Sequence, residues 1–244
     1  MTAANYGGKT HYFFGIKTYG RHSASNFAVC RQHFMNDFCQ KYLNLLQNEY
    51  SGLNLTRITD PNEFFLKQYE DSVRPIYRSK EFKSSLERGD LIVDVGFGGG
   101  FPLLPLAAEY PTHQFYGIEA RDKKVKAVND IAQRLNLLNV QCFHQRLEEI
   151  DFDRPTTLTL KAVGKIKDYL KLIYASAPVK VFFYKGTNVY TEENPPTEFN
   201  SWHLLETISF DLTPEIRRYL FCYQIVPHGT NSSKKHLVRA SVRF

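Results

Sequence analysis

The chain has 244 residues, of which 43% are hydrophobic and 23% charged, as in a globular protein large enough to bury a core. This composition excludes a disordered chain, and no apolar run approaches the 18 residues of a membrane span. Residues 1–9 contain no apolar signal region, so we expect a cytoplasmic protein that is not exported. The cysteines and histidines are scattered without metal-ligand spacing, which predicts reduced, mostly buried thiols and no metal site.

The net charge of +6 is concentrated at the two ends of the chain. Residues 1–36 and 228–244 together carry eight basic residues and no acid, so the stretch between them is close to −2. Two basic ends on a nearly neutral body favour an anionic partner such as nucleic acid. The alternative is that the basic ends only improve solubility.

Two helices are predicted ahead of the first strand. Apolar residues spaced by three or four indicate an amphipathic helix from Ser25 to Glu49. The segment Asp60-Pro61-Asn62-Glu63 supplies an N-cap, a proline at the first helical position and an acid at the third, which predicts the start of a second helix. We therefore expect an N-terminal helical layer over 25–88, preceded by a partly flexible basic extension over 1–24. One face of the second helix is predicted to carry Phe65, Tyr69, Val73 and Tyr77.

From residue 89 to 244 short apolar runs alternate with helical patterns, which predicts an α/β core with a mainly parallel, twisted sheet. The last third is rich in strands and predicts an antiparallel edge. The predicted strands are Leu91–Val93, His113–Glu119, Val140–Phe143, Thr157–Leu160, Val179–Tyr184, Leu204–Phe210, Tyr219–Val226 and Leu237–Phe244. The predicted helices begin after Pro102 and span Asp122–Leu135 and Lys165–Ala175.

A glycine-rich turn, Asp94-Val-Gly-Phe-Gly-Gly-Gly-Phe-Pro102, follows the first of these strands. Glycines permit a tight turn that a ligand can approach closely, and a strand, a glycine turn and a helix form the nucleotide site of doubly wound folds. A carboxylate at Asp94 would repel a pyrophosphate and attract a ligand that carries an ammonium and a sulfonium, which favours S-adenosylmethionine over NAD. A lone glycine pattern is equally compatible with an ordinary tight turn.

Charged residues follow several of the predicted strands. Glu119 ends the second strand, 23 residues after Gly96, where an acid can hold ribose hydroxyls; the alternative is a cap for the next helix. Lys161 and Lys185 end the fourth and fifth strands, and Arg146 follows the third. Because the carboxyl ends of strands border the ligand crevice, these three cations are predicted to face the substrate, although each alone also fits an ordinary surface residue.

Basic residues also crowd the start of the helix after Glu119. Positive charge at that end opposes the helix dipole, so a phosphate contact and a solvated basic face are both open. The residues are Arg121, Lys123, Lys124 and Lys126.

Several segments outside the glycine turn resemble the bacterial small-subunit ribosomal RNA guanine-N7 methyltransferases, also called glucose-inhibited division protein B. The resemblance runs from about Phe38 to Gly186, with a weaker match at His236–Ala240. Its most specific segments are Asn54–Glu63, Asp71-Ser72, Asp94–Pro102, Lys123–Val125, Arg146–Glu149 and Lys185-Gly186. It implies a Rossmann-like class I methyltransferase fold that uses S-adenosylmethionine. It further implies methyl transfer to N7 of one guanine in 16S ribosomal RNA, presented as free RNA or as a small-subunit assembly particle.

The resemblance also implies site residues, position by position. Arg146, Lys161 and Lys185 match positions around the cofactor and the RNA, and they are expected to position the substrate. The chain departs from the family at Gln68, Ala120 and Lys161, where the family usually has His, Ser and Arg; lysine keeps the charge but loses the bidentate fork of arginine. These departures put the identity of the methylated guanine in doubt more than cofactor binding. The cofactor residues that the resemblance implies are Asp94, Gly96, Phe97, Gly98, Gly100, Phe101, Glu119, Ala120, Leu147, Glu148 and Lys161.

No acid–base pair stands out in the sequence, and this chemistry needs none. Guanine N7 already carries a lone pair, so positioning the two reactants, worth roughly 7–11 kcal/mol, is expected to supply the catalysis. We expect a monomer. The alternatives are a non-catalytic RNA-binding domain of the same fold, a methyltransferase of another substrate, and an NAD-dependent oxidoreductase, which Asp94 disfavours.

Overall fold

The computed structural model describes residues 12–13, 16–17 and 37–227. Tyr12–Phe13 and Ile16–Lys17 form a two-stranded antiparallel pair. Most of the predicted basic ends, the first part of the helix predicted from Ser25, and the predicted strand Leu237–Phe244 lie outside the described residues.

Helices dominate the described residues from 37 to 88. They are α1 (37–47), α2 (Pro61–Phe64), a π-helical segment (Phe65–Glu70), α3 (Asp71–Arg78) and α4 (Lys80–Arg88), with a 3₁₀ turn at Ser51–Leu53. The predicted start of the second helix is confirmed, since the Asp60 side chain accepts a hydrogen bond from the backbone N–H of Glu63 at 2.7 Å and Pro61 occupies the first helical position.

The π-helical segment shifts the buried face of this helix away from the predicted one. Tyr69 and Val73 are buried as expected, but the residue buried before them is Phe64 rather than Phe65. Further along, Tyr77 is 48% exposed, whereas Ile76 is buried. A π-helix bonds residues five apart, so the spacing from one buried residue to the next lengthens to five, which a pattern of three and four does not anticipate.

The rest of the described chain forms an eight-stranded sheet with helices on both faces. Its long strands are β1 (Leu91–Val95), β2 (Phe115–Glu119), β3 (Val140–His144), β4 (Thr156–Lys161), β5 (Val179–Lys185), β6 (Trp202–Thr213) and β7 (Ile216–Ile225). The helices between them are α5 (Leu103–Glu109), α6 (Asp122–Arg134), α7 (Ile166–Leu172) and α8 (Val189–Glu192). Short strands at Asp151–Phe152 and Tyr174–Ala175 pair outside the main sheet, so the helix predicted to reach Ala175 ends earlier.

The strand order is β3-β2-β1-β4-β5-β7-β6, with the two-residue strand Glu198–Phe199 beside β6. The first five strands are parallel, β7 is antiparallel to β5, and β6 is antiparallel to β7. The order 3-2-1-4-5 is that of the doubly wound fold, in which the order reverses beside β1 and a crevice opens at the carboxyl ends of the strands. The predicted Rossmann-like class I methyltransferase fold with an antiparallel edge is confirmed.

The N-terminal helices cover one face of this sheet. Phe82 of α4 packs edge-on against Phe182 of β5, with ring centroids 5.4 Å apart. Polar contacts join the same surfaces, among them the ion pair of Glu81 with Lys180 at 2.5 Å and the hydrogen bond between Ser85 and Thr157 at 2.8 Å. The helical layer is therefore docked in a defined register on the sheet; the division into units at residue 88 stays a prediction.

The three cysteines within the described residues, Cys39, Cys142 and Cys222, are buried free thiols. Burial raises the pKa of all three, that of Cys39 to about 12, so they are unreactive near neutrality. Over the residues that the structure describes, no helix has both the length and the apolar character to cross a membrane.

Candidate functional site

The glycine turn leaves β1 in a backbone conformation that favours glycine. The φ angles of Gly96, Gly98 and Gly100 are +67°, +57° and +91°, in the left-handed region that other residues adopt at a cost. A Cβ at Gly96 would meet no atom within 4 Å, so this part of the turn is open to a ligand. At Gly100 a Cβ would lie 2.5 Å from the Tyr42 hydroxyl oxygen, so the far side of the turn is closed by the protein.

Aromatic side chains hold the turn from that closed side. The Tyr42 hydroxyl donates a hydrogen bond to the carbonyl of Gly99, and its ring stacks on Phe101 with centroids 5.1 Å apart. Phe97 is 2% exposed and packs where a Cβ on Gly117 would collide with its ring at 2.6 Å. Because the side chains of Phe97 and Phe101 are buried, only their backbones can reach a ligand, so their predicted cofactor contacts would be backbone contacts.

Glu119 stands beside the turn, at the carboxyl end of β2. One carboxylate oxygen accepts from the backbone N–H of Gly98 at 3.3 Å, and the other accepts from the backbone N–H of Arg121 at 3.1 Å. The side chain therefore joins the turn to the start of α6. Each oxygen keeps further acceptor capacity, so the geometry accommodates both the predicted ribose contact and the alternative of a helix cap.

Asp94, the residue that favoured a cationic ligand in the sequence, is 2% exposed beneath the turn. Its carboxyl accepts from the Thr159 hydroxyl at 2.8 Å and from the backbone N–H of Leu103 at 3.2 Å. Burial raises the pKa of Asp94 to about 7, although both hydrogen bonds oppose the rise. The carboxyl thus joins β1, β4 and α5, and any attraction on a cationic ligand acts from below the turn.

The strand ends beyond Glu119 bring the remaining predicted cofactor residues to the same edge. Ala120 is exposed, and its carbonyl lies 3.0 Å from Nε2 of His144 at the end of β3. Leu147 is buried, whereas Glu148 is exposed and lies 3.8 Å from Arg146. The Arg146 side chain is 61% exposed, so it is free to extend towards a substrate.

The basic start of α6 has two kinds of neighbours. Lys126 forms an exposed ion pair with Asp122 at 2.7 Å, as on a solvated helix face. Lys124 reaches back over the turn, since its Nζ lies 4.0 Å from the position that a Cβ on Gly98 would take. Phosphate contact and a solvated face both remain open for this group.

Lys161, at the end of β4, is held by internal partners. Its Nζ lies 3.1 Å from the carboxylate of Asp71 and 3.3 Å from both the Ser72 hydroxyl and the carbonyl of Lys67. Burial lowers the pKa of Lys161, and the Asp71 carboxylate opposes that change. The Asp71 carboxylate also accepts from Nε of Arg218 at 3.2 Å, so one acid is shared by two cations.

Lys185 lies on the opposite face of the sheet. Tyr184 pairs in register with Lys161, so the next residue of β5 projects to the other side. The Lys185 ammonium binds Glu193 at 2.6 Å and the carbonyl of Gly164 at 2.7 Å. The structure therefore does not bring the ammonium groups of the two predicted substrate lysines together.

Asp71 and Arg218 are site residues that the sequence did not single out as such. They are 147 positions apart, Asp71 in the second predicted helix and Arg218 just before the predicted strand Tyr219–Val226, and no sequence pattern indicated that they meet. Gln68, where the chain departs from the family pattern, lies one turn before Ser72, and its backbone carbonyl accepts a hydrogen bond from the Ser72 hydroxyl at 2.5 Å. Within the described part of the chain, no group of three His, Cys, Asp or Glu side chains is placed to hold a metal ion.

Comparisons with known proteins show which sequences this chain resembles. The ribosomal RNA small subunit methyltransferases G of Streptococcus agalactiae serotype V and of Leuconostoc citreum are 34% and 32% identical over 133 and 139 residues. These matches cover 52% and 53% of this chain and 54% and 56% of the relatives. The chain thus spans about half the length of the curated relatives it matches.

Solved structures resemble the chain more distantly. A SAM-dependent methyltransferase from Aquifex aeolicus matches with a TM-score of 0.46 and 13% identity, over 67% of this chain and 93% of the other. A mutant of MtNAS in complex with S-adenosylmethionine matches with a TM-score of 0.49 and 11% identity, over 82% and 76%. Similarity at this level adds nothing to what the strand order already shows. The model of the GidB family, rRNA small subunit methyltransferase G, matches residues 35–213, and the chain belongs to this family.

Proposed function

We propose that the protein is an S-adenosylmethionine-dependent methyltransferase that methylates N7 of a guanine in 16S ribosomal RNA. The observation that carries the proposal is the turn that is open above Gly96, with the Glu119 carboxylate hydrogen-bonded to Gly98 at its rim, in a chain of the GidB family. An open glycine turn and an acid on the neighbouring strand form a site for a nucleoside with free ribose hydroxyls.

The residues at this edge fit S-adenosylmethionine. The backbones of Gly96 and Gly98 would bind its amino-acid portion, the Glu119 carboxylate would accept from its ribose hydroxyls, and Leu147 would pack against its adenine. When bound, S-adenosylmethionine supplies an electrophilic methyl group on a sulfonium. The carboxylate of Asp94 beneath the turn suits that positive charge better than it suits a pyrophosphate.

The work of the protein in this mechanism is positioning. Guanine N7 has its own lone pair, so no side chain has to remove a proton before attack. The turn fixes one reactant, and the cations at the carboxyl ends of β3 and β4, Arg146 and Lys161, lie on the side where the RNA would approach. The exposed Arg146 can follow the substrate, whereas Lys161 holds a fixed place against Asp71.

The proposal also covers the form in which the RNA is bound and the cellular compartment in which the enzyme acts. A small-subunit assembly particle in the bacterial cytoplasm would present the RNA, and the basic residues at both ends of the chain would grip phosphates that flank the target. The enzyme would act as a monomer, with the helical layer over 25–88 and the catalytic core over 89–244.

Binding and transfer test the proposal separately. Titration calorimetry with S-adenosylmethionine is expected to show one site that Glu119→Gln weakens about tenfold, because the carboxylate loses its charge while its backbone partners remain. Incubation with a labelled methyl donor and small subunits that lack the modification is expected to label 16S RNA at N7 of a single guanine. Binding of the donor without transfer would contradict the proposed substrate. RNA binding without any donor binding would identify a non-catalytic RNA-binding domain instead.

A further inference from the structure

A small cavity of about 190 Å³ opens at the carboxyl edge of the sheet, beyond the glycine turn. It lies between α3 and the ends of β4, β5, β6 and β7, and its lining includes Asp71, Lys161, Arg218, Tyr184, Phe210 and Tyr219. It borders the turn, because β4 is the neighbour of β1 and Lys161 Nζ lies 5.9 Å from the centre of the Phe101 ring. A ligand in the cavity would therefore be next to a donor bound on the turn.

Three cations line this cavity, and the ammonium group of one of them, Lys185, is paired with Glu193. The other two, Lys161 and Arg218, differ in what they can offer a ligand. The three N–H groups of Lys161 already face three protein acceptors: Asp71, Ser72 and the carbonyl of Lys67. Arg218 uses only Nε, which donates to Asp71 at 3.2 Å. Its terminal nitrogens donate to no acceptor within the described part of the chain, and one of them lies 3.8 Å from the position of a Cβ on Gly186, at the cavity wall.

Asp71 determines how Arg218 is presented. Its carboxylate holds Nε and so fixes the plane of the guanidinium, leaving the terminal N–H groups as an oriented fork. Asp71 also balances one of the two charges of Lys161 and Arg218, and Glu193 balances that of Lys185, so one positive charge remains unbalanced. Aromatic rings form the other walls: Tyr184 and Phe210 are buried, and Tyr219 is half-buried. A flat, neutral group with an acceptor at its edge fits these walls better than a phosphate would.

We propose that this cavity is the subsite of the methyl-accepting guanine and that Arg218 determines its specificity by donating to O6, with Asp71 as the positioning residue. The assignment rests on the proposed function. If N7 accepts the methyl group, O6 is the remaining acceptor on the same edge of guanine, and a side chain can bind it. Adenine carries an amino donor at the same place, and Arg218 has no acceptor to offer it. The site therefore selects guanine over adenine.

The test measures binding of GMP and AMP to the full chain saturated with S-adenosylhomocysteine. The wild type is expected to prefer GMP about tenfold or more. Arg218→Met is expected to abolish that preference and to leave the affinity for S-adenosylhomocysteine unchanged. The matched control is Arg217→Met on the same strand, whose exposed side chain pairs with Asp211 at 2.8 Å, and it should retain the preference.

Two results would overturn the inference. Equal losses of GMP and AMP binding in Arg218→Met would identify a phosphate contact, and a retained preference would remove Arg218 from base selection. Should Arg218→Met not fold, Arg218→Ala decides between the same outcomes, because it also removes every donor of the side chain. Asp71→Asn is expected to reduce the GMP preference without changing S-adenosylhomocysteine binding. If the wild-type protein methylates RNA but shows no preference for GMP, only this inference is contradicted. If the wild-type protein prefers GMP but transfers no methyl group to RNA, the proposed function is contradicted.

Discussion

The carboxyl of Asp94 is buried directly beneath the glycine turn. Its partners, Thr159 and the backbone of Leu103, stabilise the charged form, yet burial outweighs them and raises its pKa to about 7. The protein therefore holds a carboxyl that changes its charge near neutral pH at the place where a cationic ligand would bind. The turn and this acid are coupled through the first turn of α5.

The raised pKa of Asp94 predicts how stability depends on pH. The Asp94 carboxyl binds its proton more tightly in the folded state than in the unfolded state, where its pKa is near 3.8. Its stabilising contribution to the free energy of unfolding is therefore complete below pH 3.8 and is lost as the pH rises through about 7. Asp94→Asn should remove this pH dependence, which amounts to about 4 kcal/mol of unfolding free energy over the interval from pH 3.8 to pH 7.

Chemical unfolding of both proteins between pH 4 and pH 8 provides the measurement. Asp211→Asn is the control, because the hydrogen bond from Arg217 lowers the pKa of this exposed carboxyl below 3.8, so its charge does not change between pH 4 and pH 8 and the substitution should leave the slope in that range unaltered. Parallel curves for the wild type and Asp94→Asn would show that the Asp94 carboxyl ionises normally.

Residues whose role depends on their nearest neighbours in the chain were predictable. The cap formed by Asp60 and the place of Glu119 follow from short patterns, and both are where the sequence puts them. The partners of Lys161 and Arg218 could not be predicted, because Asp71 contacts them only when the helical layer is packed on the sheet. The assignment of Lys161 to substrate contact came from the strand end and from the family resemblance, and neither indicated the three acceptors that surround its ammonium group.

The glycine turn is the element that joins the fold to the ligand site. Gly96, Gly98 and Gly100 share a left-handed backbone conformation, but the surroundings differ along the turn: Gly96 faces open space, while Gly100 packs against Tyr42 and Leu104. The turn is therefore rigid on one side and accessible on the other, as a site for close approach of a ligand requires.

Alanine substitutions in the turn should separate these two roles. Gly100→Ala combines an unfavourable φ with a collision at the Tyr42 hydroxyl, so it should lower the free energy of unfolding by about 2 kcal/mol or more. Gly96→Ala has only the backbone cost, about 1–2 kcal/mol, but its methyl group occupies the open space and should weaken donor binding.

Thermal unfolding and titration calorimetry measure the two effects. Gly52→Ala, outside the turn and with no atom within 4 Å of the added carbon, should change neither quantity appreciably. Equal effects of the Gly96 and Gly100 substitutions on donor binding would contradict the division into an open side and a closed side.

At the level of elements, the order of strands and helices in the core could be read from the sequence because parallel strands and crossover helices have distinct apolar periods. The π-helical segment could not be predicted from the sequence. It lengthens the spacing between the buried residues Phe64 and Tyr69 from four to five, and both rings are packed in the core only in the folded protein.

At the scale of the whole molecule, the excess positive charge is concentrated at the two ends of the sequence. The basic residues of the two ends are Lys9, Lys17, Arg21, Arg31, Lys234, Lys235, Arg239 and Arg243. Because nucleic-acid affinity falls with salt in proportion to the phosphates neutralised, replacing these residues by glutamine in the full chain should flatten the slope of log affinity against log salt. Filter binding of small-subunit RNA at several salt concentrations measures the slope.

Lysines on the described body provide the comparison for that experiment. Replacing Lys41 and Lys83, exposed residues of the helical layer that pair with Asp37 and Glu87, should leave the salt slope unchanged. An unaltered slope after neutralising the ends would show that the ends only improve solubility.

The proposed methyl transfer is tested most directly by mapping N7-methylguanine in 16S ribosomal RNA, by chemical strand cleavage, in cells with and without the gene. We predict one cleavage that is present in the wild type, absent after deletion, and restored by the wild-type gene but only weakly by the gene for Glu119→Gln. A cleavage pattern that deletion leaves unchanged would contradict methyl transfer to N7 of a guanine in 16S RNA.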